Sequence, residues 1–228
     1  MIPLLQKAFL KIIQLDPRLD RLFRYRNPRK YWVERGGDRY YSEQEAIANR
    51  TERSQFIGEE VNKLSYESIL EIGCGYGKQL KNFLSRAKLV AGCDFSFPQL
   101  KKAADYCADR VKLVEADGAA LPFADKSFDV TLSSAVILHN KFPNARKMIS
   151  EMVRVSRKYL VHNEDTDVTF TRYGYDLKKT YEKMGFKIVD SKQIPVAPDP
   201  TITQFTVAEL PSGLKSVRPE DVPLQYHA

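Results

Sequence analysis

Between Ser68 and Glu209 short apolar runs alternate with helix-forming stretches, and this alternation narrows the fold of the 228-residue chain more than any other feature. Ser68–Ile72 (SILEI), Leu89–Cys93 (LVAGC), Val111–Glu115, Phe128–Ser133 and Tyr159–His162 read as five successive strands. Helices are expected between them at Lys78–Ala87, Pro98–Ala108 and Asn144–Ser156. A strand that returns beside its predecessor through a helix must run parallel to it, so these units build one sheet with helices on both faces. A helix Gly174–Met184, closed by Gly185, leads to two last strands, Phe186–Asp190 and Ile202–Glu209. Only Pro195, Pro198 and Pro200 punctuate the gap between those two. That gap is too short for a crossover helix, so the last pair is expected to run antiparallel. Ligands of such sheets bind beyond the carboxyl ends of the strands, which directs attention to the turns after strands one to four.

Composition sets the outer limits. At 43% hydrophobic and 29% charged, the chain reads as one α/β domain with extensions. No apolar run approaches the ~20 residues of a membrane span. The opening MIPLLQKAFLKIIQL is broken by lysines and lacks a small-residue cleavage site, so it does not read as a signal peptide. Cys74, Cys93 and Cys107 stand at unrelated spacings, which suit neither a disulfide framework nor a zinc site and suggest a reducing, cytoplasmic setting. The net charge of +7 is concentrated: residues 1–30 hold eight basic side chains and two acidic ones. The rest of the chain is nearly neutral, so attraction to polyanions belongs to the amino-terminal segment.

That segment, residues 1–64, reads as a helical extension with a lid. Pro3 to Leu15 has helical apolar spacing and stops at Asp16-Pro17. Such a helix either packs on the domain, forms a dimer contact, or docks at an anionic membrane surface. Arg18 to Lys30, interleaved with Phe23, Tyr25 and Tyr31, suits phosphate tracking and base stacking, or simply a solvated linker. Arg29–Tyr41 is expected to be a loop or lid around Gly36-Gly37. Ser42 is expected to open a long polar helix reaching Leu64, with Glu45 as its capping-box partner. The stretch 65–210 is the α/β body, and the proline-rich 211–228 an irregular tail.

Three strand ends carry the chemistry. After the first comes Glu71-Ile72-Gly73-Cys74-Gly75-Tyr76-Gly77, whose alternate glycines allow a sharp turn and close approach of a ligand to main-chain N–H groups. This spacing differs from the G-x-G-x-x-G of nicotinamide-binding folds. Strand two ends in Asp94, 21 residues beyond Gly73, where a carboxylate can accept ribose hydroxyls; Ser96 ahead of Pro98 can supply the next helix cap and leave Asp94 for a ligand. Strand three ends in Glu115-Ala116-Asp117-Gly118, where an acid can accept from an adenine amino group and a following N–H can address a ring nitrogen. One adenosine-containing ligand would span all three.

ILEIGCGYG, VAGCDFS and VEADGAALPFADKSFDVTLSSAVILH, in that order, resemble the successive motifs of class I S-adenosylmethionine-dependent methyltransferases, especially methyltransferase type 11. The resemblance runs from about Tyr66 to Val189. It implies a Rossmann-like three-layer α/β sandwich with a seven-stranded, mostly parallel sheet and an antiparallel last strand. It also implies S-adenosyl-L-methionine as cofactor. Glu71, Gly73, Gly75 and Gly77, with Cys74 in the same turn, would hold its amino-acid portion. Asp94 would take the ribose, Phe95 would lie beside the adenine, and Asp117 with Gly118 would read the adenine edge. The transferred methyl would lie near Ser134 in the segment Ser133–Asn140.

Within that segment His139 is the candidate general base, because its unperturbed pKa is near neutral; packing against the cofactor is the competing role. His162 and Tyr173 are candidates for binding substrate, with surface or core packing as the alternative. The same holds for Tyr31, Trp32, Arg35, Tyr40 and Tyr41 (Arg35 facing the cofactor carboxylate or an anionic substrate) as parts of a closing lid. No metal is expected, since the histidines and acids near strand five lack diagnostic spacing. The leading expectation is methyl transfer to oxygen or nitrogen of a small molecule such as a sugar, glycolipid or natural-product intermediate, by a monomer or homodimer. A tRNA or rRNA methyltransferase, or a non-catalytic cofactor-binding partner subunit, are the alternatives.

Overall fold

The computed structural model describes residues 28–226, except 48, 170, 171 and 215. The expected first helix and most of the arginine-rich stretch lie outside the described residues. Seven strands form a single sheet: β1 (Ser68–Ile72), β2 (Leu89–Asp94), β3 (Lys112–Glu115), β4 (Phe128–Ser134), β5 (Ser156–Asp165), β6 (Lys187–Gln193) and β7 (Thr203–Glu209). Their order is β3-β2-β1-β4-β5-β7-β6, with β7 antiparallel to both neighbours and the other pairs parallel. The order reverses direction between β1 and β4, and that switch point opens the crevice where ligands bind.

Alternation along β1 shows how the sheet is clamped. Leu70 and Ile72 join one buried cluster and Ile69 the other, as a period of two requires. On the first face α5 (Phe142–Val155) contributes Met148, Ile149, Met152 and Val153, and α6 (Leu177–Lys183) adds Leu177 and Tyr181. Val222 and Leu224 of the tail are also buried there, so the tail packs despite its irregular backbone. On the second face lie α3 (Arg50–Asn62), through Ile57 and Val61, and α4 (Phe97–Tyr106), through Leu100.

Three expectations are corrected. Lys78–Ala87 is not an α-helix; only Leu80–Phe83 is helical, as a 3-10 turn. Leu80 and Phe83, three apart and both fully buried, share one face at that tighter pitch, while Asn82 donates to the Ser54 carbonyl of α3 at 2.9 Å. Arg29–Tyr41 is not a loop but two short helices, α1 (Pro28–Arg35) and α2 (Asp38–Glu45), parted by Gly36-Gly37. The long helix from Ser42 is likewise two pieces: Ser42 lies inside α2, and the chain breaks before α3 at Asn49, which is left-handed at φ 59°. Glu45 does not cap Ser42. Its carboxylate accepts from Tyr76 Oη at 2.9 Å and Lys78 Nζ at 2.6 Å, fastening α2 to the glycine turn.

The α1–α2 turn fits the body closely. A Cβ on Gly36 would stand 2.6 Å from Ser96 Oγ, nearer than real contacts allow. Gly36→Val is therefore expected to push the turn away from Ser96, lowering the melting temperature by a few degrees, roughly 1–3 kcal/mol of overpacking. Thermal unfolding of the variant checks this.

Candidate active site

Glycine is required where the first turn meets the loop after β4. Gly73 is at φ +66°, and a Cβ there would lie 2.6 Å from a methyl of Val136. Gly77, at φ +84°, instead packs on α4, where a Cβ would come within 3.2 Å of Ala103 and 3.0 Å of Cys107. Asp94, at the end of β2, accepts the Gly75 N–H at 3.0 Å and the Ser96 N–H at 2.8 Å. Burial raises its carboxyl above the usual aspartate range, and those N–H groups offset part of the rise.

These elements enclose an open, concave cleft of the kind that takes a small ligand. Gly73, Gly75, Asp94, Phe95, Ser134 and His139 line it, together with Trp32 and Tyr40 from α1 and α2. Ser96 Oγ and Gln99 Oε1 on its wall, and Glu71 Oε2 at the end of β1, are buried without a hydrogen-bond partner. Buried polar atoms are ordinarily satisfied, and each orphan costs about 1–3 kcal/mol. A ligand carrying hydroxyls, an amine and a heteroaromatic edge would satisfy them, so the residues present fit an adenosine-type cofactor.

The aromatic cover is well defined. The Trp32 ring centroid lies 5.2 Å from that of His139 and 5.8 Å from that of Tyr40. Tyr31 is outside the lining but packs edge-on against Trp32 at 5.2 Å. Arg29 lies over Phe95, 5.5 Å from its centroid, and 3.9 Å from the Asp117 carboxylate.

Several expected site residues fall elsewhere. Arg35 does not face the cleft: it pairs with Glu43 at 2.5 Å and donates to Tyr31 Oη at 2.9 Å, because Glu43 sits one turn into α2 and folds back over it. Ser96 holds the cap position of α4, but its hydroxyl makes no cap bond; Asp94 accepts the Ser96 N–H instead. Asp117 is exposed and its Oδ1 accepts the Ala119 N–H at 2.9 Å, so it closes its own turn beside Phe95 and does not line the cleft. Cys74 and Gly118 are buried; Cys74 lies in the second-face cluster, and a Cβ on Gly118 would meet Ile72 and Met148 at 2.8 Å. Tyr173 is a core residue stacked on Tyr175 at 6.0 Å.

His162 is fully enclosed. Its Nδ1 is 2.8 Å from Ser133 Oγ and its Nε2 2.7 Å from Tyr181 Oη, and burial lowers its pKa to about 3. It therefore stays neutral and organises the sheet beneath the cleft, out of reach of a substrate.

Sequence reasoning weighed Glu164 only among the acids near strand five, as a metal ligand, and gave it no other role. Its carboxylate, buried, accepts Ser133 Oγ at 2.9 Å and the backbone N–H groups of Val136, Ile137 and Leu138 at 3.1–3.3 Å. It gathers the start of the 3-10 turn Ile137–His139 much as an anion binds a helix amino end. Burial pushes its pKa up to about 7 against those donors. Arg50, which sequence reasoning passed over, lies near enough to Glu71 to oppose the rise that burial causes in that carboxyl. Nothing in their spacing marks either residue; only their places at the carboxyl end of β5 and the amino end of α3 do.

Fold and cleft together define a Rossmann-like α/β protein built to hold an adenosine-type ligand at the β1–β4 switch point. Residues 70–159 match the family model described as methyltransferase domain, and this stretch is a class I, type 11 methyltransferase domain. A tRNA (carboxymethyluridine(34)-5-O)-methyltransferase of Arabidopsis thaliana is 38% identical over 89 residues, 38% of this chain and 20% of that protein. A demethylmenaquinone methyltransferase of Thermobifida fusca is 33% identical over 102 residues, 42% of each chain. The chain thus spans less than half the length of these curated relatives. Magnesium protoporphyrin IX methyltransferase of Synechocystis PCC 6803, solved with S-adenosylmethionine bound, superposes with a TM-score of 0.58 over 92% of this chain and 99% of that one. At 16% identity that likeness establishes the shared fold.

Proposed function

We propose that this chain transfers a methyl group from S-adenosylmethionine to an oxygen or nitrogen of a small-molecule acceptor. In this reading residues 65–210 form the catalytic body and residues 1–64 the extension and lid. The carrying observation is the cleft itself, where Asp94 and the unpaired Ser96 and Gln99 meet His139 under Trp32. A sulfonium methyl is already electrophilic, so the protein's work is alignment and exclusion of water. Asp94 would hold the ribose, and Gly73 and Gly75 would admit the amino-acid portion, with Arg50 beside Glu71 facing its carboxylate. Trp32 and Tyr40 would exclude water, and His139 would take the acceptor's proton.

Calorimetric titration with S-adenosylmethionine, and separately NAD, tests the cofactor; saturable binding of the first alone is expected. Trp32 is the single tryptophan, so its fluorescence reports the same event from within the cleft. With an acceptor in hand, His139→Ala is expected to lower kcat about 10²–10⁴-fold without weakening the cofactor, as loss of a general base does. Full turnover by that variant would reassign His139 to packing.

A tRNA acceptor is the second reading, supported by the charge held in residues 1–30 and by the tRNA-modifying relative. Binding to bulk tRNA that weakens steeply with salt would favour it, and no binding at low salt would remove it. No helix among the described residues is long and apolar enough to cross a membrane.

A further inference from the structure

Helix α3 leads through residues 63–67 directly into β1, so its amino end lies at the carboxyl edge of the sheet, where the cleft opens. Arg53, in the first turns of this 13-residue helix, is 8% exposed, and its Nε has no hydrogen-bond partner. The acids whose charge acts on it are Asp165 and Glu164, and both are engaged. Asp165 pairs with Arg172 at 3.1 Å and accepts Thr203 Oγ1 at 2.6 Å, while Glu164 holds Ser133 and the loop after β4. Arg50 and Arg172 add like charge around Arg53. Burial and those neighbours lower its pKa to about 10, which still leaves it a cation at neutral pH.

A second orphan lies at the same edge. Asn163, fully buried on β5, donates to Ser134 Oγ of the cleft wall at 2.6 Å, yet its Oδ1 is without a partner. The amino end of α3 contributes a partial positive charge of its own. A buried guanidinium whose Nε lacks an acceptor, beside acids committed to other donors, is costly unless something that binds supplies that acceptor.

We propose that Arg53 and the amino end of α3 form a subsite for an anionic oxygen group, a carboxylate or phosphate, carried by the methyl acceptor. This rests on the methyltransferase reading above and adds the class of acceptor to it. The position separates this subsite from the cofactor's own carboxylate. Arg50 stands beside Glu71 at the glycine turn, whereas Arg53 stands beside β5, next to the loop that carries His139. A planar guanidinium matches either oxyanion with two parallel hydrogen bonds.

The test uses the full chain and inorganic phosphate and acetate as probes, titrated calorimetrically with and without saturating S-adenosylhomocysteine. Phosphate or acetate is expected to bind the wild type. Arg53→Gln should weaken that binding about tenfold or more, while the affinity for S-adenosylhomocysteine stays within about threefold. Arg53→Lys, which keeps the charge without the fork, should restore part of it and guards against misfolding of the glutamine variant. Anion binding that is absent from the wild type, or equal in wild type and both variants, overturns the proposal. So does a loss of S-adenosylhomocysteine affinity in Arg53→Gln matching the loss for phosphate, which would assign Arg53 to the cofactor. Failure of the wild type to bind S-adenosylhomocysteine strikes the methyltransferase reading, while the arms run without it still decide whether Arg53 binds anions.

Discussion

Asp94→Ala is expected to lower the affinity for S-adenosylmethionine by about a hundredfold or more. The carboxylate accepts two backbone N–H groups, from Gly75 and Ser96, and so holds the glycine turn against the start of α4. In the proposed complex it also accepts the ribose hydroxyls. Two charge-assisted hydrogen bonds at about 1.5–3 kcal/mol each account for that loss. Asparagine should rescue little, since its amide offers one acceptor oxygen where the site needs two and turns an N–H toward a donor. Calorimetry measures the affinity, and thermal unfolding separates lost binding from lost stability. Because burial raises the Asp94 carboxyl, protonation should erode binding at a higher pH than it would for a surface aspartate.

Glu164 should produce the largest effect on the loop that bears His139. Glu164→Ala removes the acceptor for three backbone N–H groups and Ser133, stranding buried donors, and is expected to destabilise the protein by about 3–5 kcal/mol. Glu164→Gln keeps the shape and isolates the charge. The folded-state pKa is raised, from 4.5 to about 7, so the folded protein holds this proton more tightly than the unfolded chain does. Its contribution to stability is therefore fullest below about pH 4.5 and is lost as pH rises to about 7. Relative to Glu164→Gln, the wild type should lose about 3 kcal/mol across that window, with no further change above it. Denaturant midpoints of the two proteins at pH 5, 6, 7 and 8 show whether the difference moves this way; a flat difference would mean that Glu164 does not titrate there.

Much of the fold was legible because its signals are local and repeated. A run such as SILEI that ends in glycines must be a buried strand leading into a sharp turn, and the short, proline-punctuated gap before Ile202 rules out a crossover helix. β1 occupies Ser68–Ile72 as read, and β7 runs antiparallel. The errors lie where long-range contacts outweigh local preference. The expected helix at Lys78–Ala87 shrank to one tight turn because Ser54 and Asn82, far apart in sequence, bond across it. Glu45 has the right spacing for a capping box, yet Lys78 and Tyr76 draw its carboxylate away.

The site divides along the same line. Gly73, Gly75 and Asp94 report on backbone needs and strand ends, both written into neighbouring residues, so their meeting at one cleft could be read in advance, whereas Gly77 serves the packing of α4. Which histidine faces the cleft could not. His139 follows β4 in a 3-10 turn under Trp32, whereas His162 lies within β5, walled in by Ser133 and Tyr181. Nor could Arg35 be told from Arg53: packing gives the first the Glu43 carboxylate and leaves the Nε of the second unpaired. The sequence alone determined the order of strands and turns, because hydrophobic period and glycine conformation act within a few residues. Tertiary structure decided which charges meet a partner, because burial and electrostatic pairing depend on groups that only folding brings together.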